Sequence, residues 1–593
     1  MFFLLAREGE NTVPVRSIPI IVVPGIMGTR LRLTQKEDGT TKIWDPDDKL
    51  VMTAAWVTSE SETMRNDLHY ERVTAELYED GTSHSATERA RGWASLSTTF
   101  YGDLLRALTR RFEDETAARC PVYAFGYDWR QSNTDSAKHL ATFAQQTMAA
   151  EHAELAIFVT HSMGGFVARQ AFVDQPALAS KTLGVVHLGQ PVRGAPVAYR
   201  RFMFGTDSSF DGYGMRFLIG GAPENTMRLF SALPGAMQLL PSDTRINKST
   251  RSYEDWMRGH RRDGQGPFPL PPGPASVYAW YRNGRYPPGL AAGLLDKRAK
   301  GPGTSAAEEK AFRGSRDDAK KGIDAAQKFH NDLDTHCHRL TWTISATGVE
   351  TDEQVVFFFP RLDFEGLHDL SIEETEVVRG RSQAGDGTVP TWSAHALLDG
   401  PIYRVADGVD ATLHRKFELD GVVHDTMCAT EVTQRTVFDI IRTLLEAGAD
   451  LLLNDIRSND NEMFARYFTS HNPLVSPEER KSAEIELRAA KWYREQGKGV
   501  RILENPDTGK TADLQVDGKT IEVKHSGERR TAASVRSQIL DGFFKADETL
   551  LVRGTGPGLT LEELDAIGAE ALEDRPGNVL TIIDESELPK LFS

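Results

Sequence analysis

Two sets of residues in this 593-residue chain have the types and spacing to do chemistry. The first is Thr160-His161-Ser162-Met163-Gly164, which follows the apolar run Ala156-Ile157-Phe158-Val159 and precedes the helical stretch FVARQAFVDQ. A serine between a buried strand and a helix sits where a sharp turn lifts its oxygen above the sheet edge, and the crowded backbone there requires small neighbours. Thr160 stands where that pattern has its first glycine. A serine nucleophile needs a base to take its proton and an acid to orient the base, and on such a turn they follow in the order serine, acid, base. Gly385-Asp386-Gly387-Thr388-Val389-Pro390 offers an aspartate on a tight turn, and His424, in Gly421-Val422-Val423-His424-Asp425, directly precedes a helix. The order predicts Ser162 as nucleophile, Asp386 as orienting acid and His424 as base. His395 and His414 are rival bases; the second lies in LHRKFELD, which reads as solvated surface.

The second set lies near the C-terminus. Thr511–Val516 and Lys519–Lys524 alternate around Asp517-Gly518, the pattern of a two-residue hairpin. Pairing puts Asp513 and Glu522 at neighbouring sites, and alternation puts Glu522 and Lys524 on one face. Two carboxylates and a lysine suit metal-dependent phosphodiester cleavage: the carboxylates hold Mg²⁺, which takes oxygen ligands, and the lysine positions or activates the attacking water. Glu486 on the preceding helix, with Glu484 as alternate, completes the metal shell. His525, Arg529, Arg530, Arg536 and Lys545 follow and could meet phosphates; a solvated helix face carries the same residues.

These residues need a scaffold. Pro19–Val23, Ala156–Val159 and Leu183–Leu188 are apolar on both faces, as central strands of a parallel sheet are. Their alternation with helical stretches predicts an α/β fold with a doubly wound sheet. From about 197 to 340 the rhythm breaks into Gly/Pro-rich stretches and a Lys/Ala/Glu-rich helix, read as an inserted cap. Within it RRFMFG, GMRFLIGG and MRLFSALPGAMQLLP suit either a lipid-facing lid or the cap's own core. The sheet resumes at LTWTISATG, with a later strand at PIYRVADG. The expected organisation is residues 1–455 as the first domain, 456–477 as a linker and 478–593 as a small α/β domain.

VVPGIMGTRL, YAFGYDWRQS, THSMGG, GDGTVP and VVH together resemble the lecithin–cholesterol acyltransferase and lysosomal phospholipase type of lipase, across roughly residues 18–445. The resemblance implies an α/β-hydrolase with Ser162, Asp386 and His424 as its triad. It also implies oxyanion donors at the backbone N–H groups of Ile26 and Met163; each such donor is worth about 3 kcal/mol of barrier. Tyr127-Asp128-Trp129-Arg130 matches a family signature but reads as a buried turn with an Asp–Arg pair. The cap departs from the family, so the acyl substrate does not carry over. AEIELRAAKWYREQGKGVRILENP, TADLQVDGKTIEVK and VRSQILDGFFKADETLLV resemble the C-terminal RNase toxins of bacterial contact-dependent inhibition systems. That resemblance implies a PD-(D/E)xK domain, with Asp513, Glu522 and Glu486 on the metal, Lys524 catalytic and Gln538 as a motif extension.

Composition bounds the partners. With 69 Lys+Arg against 85 Asp+Glu the net charge is −16, so the whole chain is no basic nucleic-acid coater, although a local basic groove is allowed. Cys120, Cys337 and Cys428 are too few and too scattered for a disulfide scaffold or a Cys-rich zinc module, and fit a reducing compartment. The apolar start of MFFLLAREGE is too short for a signal-peptide core or a span, so synthesis in the cytoplasm without a signal peptide is expected, with delivery to a target cell by another route. The expected whole is a bifunctional bacterial effector. It combines a serine lipase or phospholipase that needs no cofactor, acting on a lipid or membrane surface, with an Mg²⁺-dependent nuclease for RNA, tRNA or DNA. An immunity protein and a secretion-machinery carrier are the expected protein partners. Two readings compete: a lipase whose C-terminal domain only binds, and an intracellular acyltransferase in which an alcohol accepts the acyl group from Ser162.

Overall fold

The structure, a computed structural model, describes residues 17–52, 56, 61–79, 84–113, 119–204, 226, 229–242, 256–261, 268–269, 277–282, 306–334, 336–359, 376–398, 402–405, 414–451, 477–503, 512–526, 531–554 and 558–589. The chain divides into two compact units, Met1–Val409 with Arg415–Phe438, and Asp410–His414 with Asp439–Ser593.

The strands of the first unit are β1 (Ile20–Val23), β2 (Leu31–Gln35), β3 (Thr41–Trp44), β4 (Val73–Leu77), β5 (Val122–Ala124), β6 (Ala156–His161), β7 (Thr182–Leu188), β8 (Met257–Arg261), β9 (Phe268–Pro269), β10 (Thr341–Thr347), β11 (Thr351–Phe359), β12 (Glu376–Ser382), β13 (Tyr403–Arg404) and β14 (Lys416–Asp420). Seven of them form a parallel sheet in the order β13-β14-β10-β7-β6-β1-β5. Every residue of β1, β6 and β7 is buried, as apolar runs without alternation require when both sheet faces are covered. From β1 the chain proceeds to β5 on one side, and from β6 to β7 on the other. The loops after β1 and β6 therefore diverge and leave a crevice at the carboxyl ends of the strands, where open α/β sheets bind ligands.

β14 corrects the reading of LHRKFELD as solvated surface: Phe417 and Leu419 are buried, and Lys416–Asp420 pairs with β10. Its charged residues occupy the alternate positions and disguise a short strand. A second sheet, in the order β12-β11-β8-β9, pairs β8 from the insert with β11 from beyond β10. The cap material thus draws on residues both before and after residue 340. A buried ion pair, Arg200 Nε to Asp352 Oδ2 at 2.6 Å, joins the same two stretches. Phe202, Met203, Leu229, Phe230, Leu233, Met237 and Leu240 lie in the apolar core. The described parts of RRFMFG and MRLFSALPGAMQLLP are therefore core, whereas GMRFLIGG lies outside the described residues.

In the second unit β15 (Val500–Ile502), β16 (Leu514–Val516), β17 (Lys519–His525), β18 (Glu548–Arg553) and β19 (Val579–Asp584) form one sheet in sequence order, antiparallel to β17 and parallel beyond it. Asp517 and Gly518 both have left-handed φ, 48° and 88°, as the mirror-image hairpin turn requires. Helices Pro477–Glu495, Ala532–Lys545 and Leu561–Asp574 complete this α/β unit, and the last two enclose an apolar cluster that includes Val535, Ile539, Leu564 and Ile567. Residues 456–476 of the expected linker lie outside the described residues. No described helix is long and apolar enough to cross a membrane.

Candidate active site

β6 ends at His161, and Ser162 takes φ 53° before the helix Gly164–Asp174 begins. A left-handed φ at a non-glycine residue costs roughly 1–3 kcal/mol and persists where the surroundings dictate it. Here they do. Ser162 N donates to Leu188 O at 2.9 Å, and a Cβ on Gly164 would lie 2.5 Å from the carbonyl oxygens of Val23 and Pro24. The departure at Thr160 also has a local cause: its hydroxyl meets His187 Nδ1 of the adjacent strand at 2.7 Å, so a threonine is accommodated in place of glycine.

Ser162 Oγ lies 2.9 Å from His424 Nε2, and His424 Nδ1 lies 2.7 Å from Asp386 Oδ2. All three side chains are buried. Asp386 Oδ1 accepts from the backbone N–H groups of Thr388 at 3.0 Å and Val389 at 2.7 Å, which fixes the carboxylate plane. The His424 backbone N–H donates to Asp386 O at 2.8 Å. Burial, the largest influence on His424, disfavours its charged form, but the charge of Asp386 and the hydrogen bond to it outweigh burial and raise the pKa above 6.5. The rival histidines go elsewhere. His395 meets Ser345 Oγ at 2.7 Å, and His414 belongs to the second unit.

The loop after β1 reaches Ser162 from the other side of the crevice. A Cβ on Gly25 would lie 2.8 Å from Ser162 Cβ, so only glycine fits there. Among the described residues the N–H groups of Ile26 and Met163 have no hydrogen-bond partner, while those of Gly25, Ser162 and Gly28 do. Tyr127, in the signature turn, donates its hydroxyl to Pro24 O at 2.9 Å and so anchors this loop. Asp128 and Arg130 form the two-pronged pair at 2.8 Å. Tyr101 and His161 also enter the site, with the Tyr101 hydroxyl 3.0 Å from His161 Nδ1, and sequence reasoning missed both roles. Nothing in the sequence brings residue 101 to residue 161.

Chemically, a serine hydroxyl on an imidazole whose other nitrogen bonds a carboxylate can attack a carbonyl carbon. The imidazole takes the serine proton and returns it to the leaving group, and free N–H groups beside the serine can hold the developing oxyanion. Among the described residues no metal-ligating cluster is present at this or any other site.

The second unit brings Asp513, Glu522 and Glu486 close enough to interact. Burial first, then the charges of Glu486 and Glu522, push the Asp513 carboxyl far above the usual carboxylate range. Asp513 Oδ2 accepts from Val523 N at 2.8 Å. Glu522 Oε1 is held by Lys524 at 2.6 Å and by Lys545 at 3.1 Å, while Glu522 Oε2 is buried with no partner among the described residues. Of the two helix acids, Glu486 faces this cluster, whereas Glu484 pairs with Lys481 and Arg488. The expected phosphate ligands are engaged by carboxylates: His525 by Glu585, Arg536 by Asp574 and Lys545 by Asp541 and Glu522. Gln538 Oε1 is buried without a partner among the described residues, and Arg529 and Arg530 lie outside them. The donor set has the oxygen chemistry of an Mg²⁺ site, but as placed Asp513, Glu522 and Glu486 form no metal-ligating group, and Lys524 and Lys545 face Glu522 instead.

The sequence pattern of the lecithin:cholesterol acyltransferase family matches residues 117–257, a stretch that includes Ser162 but neither Asp386 nor His424. A 71-residue stretch is 38% identical to YJR098C, an uncharacterized protein of Saccharomyces cerevisiae; it makes up 12% of this chain and spans 10% of the yeast protein. The structure is similar to a chain of the Tle4–Tli4 complex, with a TM-score of 0.54 and 19% identity over 73% of this chain and 99% of that one. The parallel sheet, the serine turn after its central strand and this likeness together make the first unit an α/β-hydrolase fold.

Proposed function

We propose that the first unit is a serine ester hydrolase of the lipase or phospholipase kind. Ser162 is the nucleophile, His424 the general base, Asp386 the acid that fixes its tautomer, and the N–H groups of Ile26 and Met163 hold the oxyanion. The observation that carries this reading is the continuous hydrogen-bonded line from Ser162 through His424 to Asp386 in the crevice between β1 and β6. The family match over the serine segment supports lipid esters as the substrate class. The test is hydrolysis of phospholipid vesicles and of a short-chain ester by the full chain and by Ser162→Ala. Loss of both activities in the variant supports the reading, and full activity ends it. Because the similar Tle4 chain is complexed with Tli4, the proposal extends to an effector delivered to a target cell and neutralised by a dedicated immunity protein.

A second reading concerns the other unit. Asp513, buried beside Glu486 and Glu522 with Lys524 on the same sheet, supports a nuclease in which the three carboxylates hold Mg²⁺ and Lys524 assists attack on RNA, tRNA or DNA. The two lysines on Glu522 favour instead a unit that only binds. Degradation of RNA and DNA with and without a chelator separates them.

A further inference from the structure

The described site contains a second histidine that the triad does not use. His161 directly precedes Ser162; its Nε2 lies 3.1 Å from the backbone oxygen of His424, and its Nδ1 lies 3.0 Å from the hydroxyl of Tyr101. That hydroxyl in turn lies 2.8 Å from Gly25 N. The chemistry of the ends fixes the direction of the whole chain. A carbonyl oxygen only accepts, so His161 Nε2 carries a proton. A neutral imidazole then has a bare Nδ1, which accepts from the Tyr101 O–H, and the Tyr101 oxygen accepts from the Gly25 N–H. Burial, with His424 alongside, pushes the His161 pKa down to about 3, and burial raises that of Tyr101 well above 10.0, so both groups keep the protons this direction needs. A neutral His161 also adds no positive charge 4.9 Å from the His424 ring, which must itself become cationic during attack.

The packing is as tight as the bonding. A Cβ on Gly28 would lie 2.7 Å from the Tyr101 ring, and one on Gly25 would lie 3.4 Å from His161 Nδ1. Tyr101 comes from the helix Thr98–Phe112, so the chain of bonds joins four segments distant in sequence: the loop after β1, this helix, the end of β6 and the segment of His424.

We infer that His161 and Tyr101 are positioning residues: one directional hydrogen-bond chain, from the Gly25 N–H through Tyr101 and His161 to the carbonyl of His424, ties the oxyanion loop to the loop of the base and sets both against Ser162. The inference rests on the assignment of Ser162 and His424 as nucleophile and base. Misplacing such groups by an ångström costs about 100-fold in rate.

The test uses the full chain, a short-chain ester and thermal melts. Tyr101→Phe keeps the ring and removes the link; kcat falls about 10- to 100-fold while KM stays within about threefold. His161→Gln keeps a donor for His424 O and loses the acceptor for Tyr101, whereas His161→Asn does the reverse. Because Tyr101→Phe and His161→Gln cut the same bond, the double variant is no slower than Tyr101→Phe alone. Tyr101→Phe with His161→Asn cuts different bonds, and their effects multiply. A residue that only fills space lowers Tm and leaves kcat alone, so wild-type kcat in Tyr101→Phe, with or without a lower Tm, overturns the inference. So does multiplication of effects in the glutamine pair. Survival of wild-type activity in Ser162→Ala would instead remove the assignment beneath it, and the two failures are told apart by that control.

Discussion

Replacing Asp386 by asparagine changes one atom and, by the geometry here, reverses a proton. Asp386 Oδ1 faces two backbone donors, Thr388 N at 3.0 Å and Val389 N at 2.7 Å, so only an acceptor can occupy that position. In Asp386→Asn the amide oxygen takes it, and the NH₂ is left facing His424 Nδ1 across 2.7 Å. Nδ1 must then accept, the imidazole proton moves to Nε2, and Nε2 points a hydrogen at Ser162 Oγ across 2.9 Å. The serine proton loses its acceptor. Loss of the correct tautomer costs about 10⁴ in kcat in a triad of this kind, equivalent to about 5.5 kcal/mol of barrier. KM and Tm change little because the number of hydrogen bonds is preserved. The pH profile supplies a second sign. The base must be neutral, and its pKa lies above 6.5, so wild-type kcat/KM falls as pH drops through a value above 6.5. Without the charge of Asp386 the burial of His424 is opposed only by the lesser pull of Asp425, and the residual activity of the variant persists to lower pH. Steady-state kinetics on a chromogenic ester from pH 5 to 9 read both effects. A variant kcat within about tenfold of wild type would refute the tautomer argument.

Burial lowers the pKa values of His161 and His187 to about 3 and of His330 and His338 to about 4. Below 6.5 the unfolded chain therefore takes up four protons that the fold refuses, while His424, raised, is protonated in both states there and adds nothing. The four make stability fall with falling pH, from 6.5 towards 4, by at most about 5 kcal/mol per pH unit; equal urea midpoints at pH 7 and pH 5 would contradict this. Thr160→Val strips His187 Nδ1 of its 2.7 Å partner and lowers stability by about 1–3 kcal/mol, with urea unfolding as the readout. Ester hydrolysis is unchanged by chelators because side chains and backbone complete the chemistry; chelator-sensitive turnover would point to a metal. Any nuclease activity survives Ser162→Ala and disappears in both Glu522→Ala and Lys524→Ala, with excess Mg²⁺ restoring a little in the first only; intact RNA and DNA with the wild-type chain would favour the binding module.

What could be read in the sequence was what neighbouring residues determine. The runs around Ile20, Ala156 and Leu183 carry their own burial pattern, and Ser162, Asp386 and His424 each lie on a local turn at a strand end. LHRKFELD failed as a reading because five residues are too few for alternation to outweigh the three charged residues Lys416, Glu418 and Asp420. The strand expected at PIYRVADG is there as β13, Tyr403–Arg404, although two residues are too few for any periodicity. Tyr101 was invisible for a different reason: it reads as one more aromatic on an amphipathic helix, and its role exists only because the helix passes beside the loop carrying Gly25 and Gly28. In the second unit the hairpin was legible from Asp517-Gly518. The lysines closing on Glu522 were not, because Lys545 reaches it from a helix 23 residues further along the chain.

The central claim is that Ser162 is the activated nucleophile of the first unit. Incubating the full chain with a fluorophosphonate and mapping the adduct by mass spectrometry tests it directly. One stoichiometric adduct is expected on Ser162, formed in step with the loss of ester hydrolysis and absent after Ser162→Ala. An adduct on another residue, or unchanged hydrolysis with Ser162 fully modified, would contradict it.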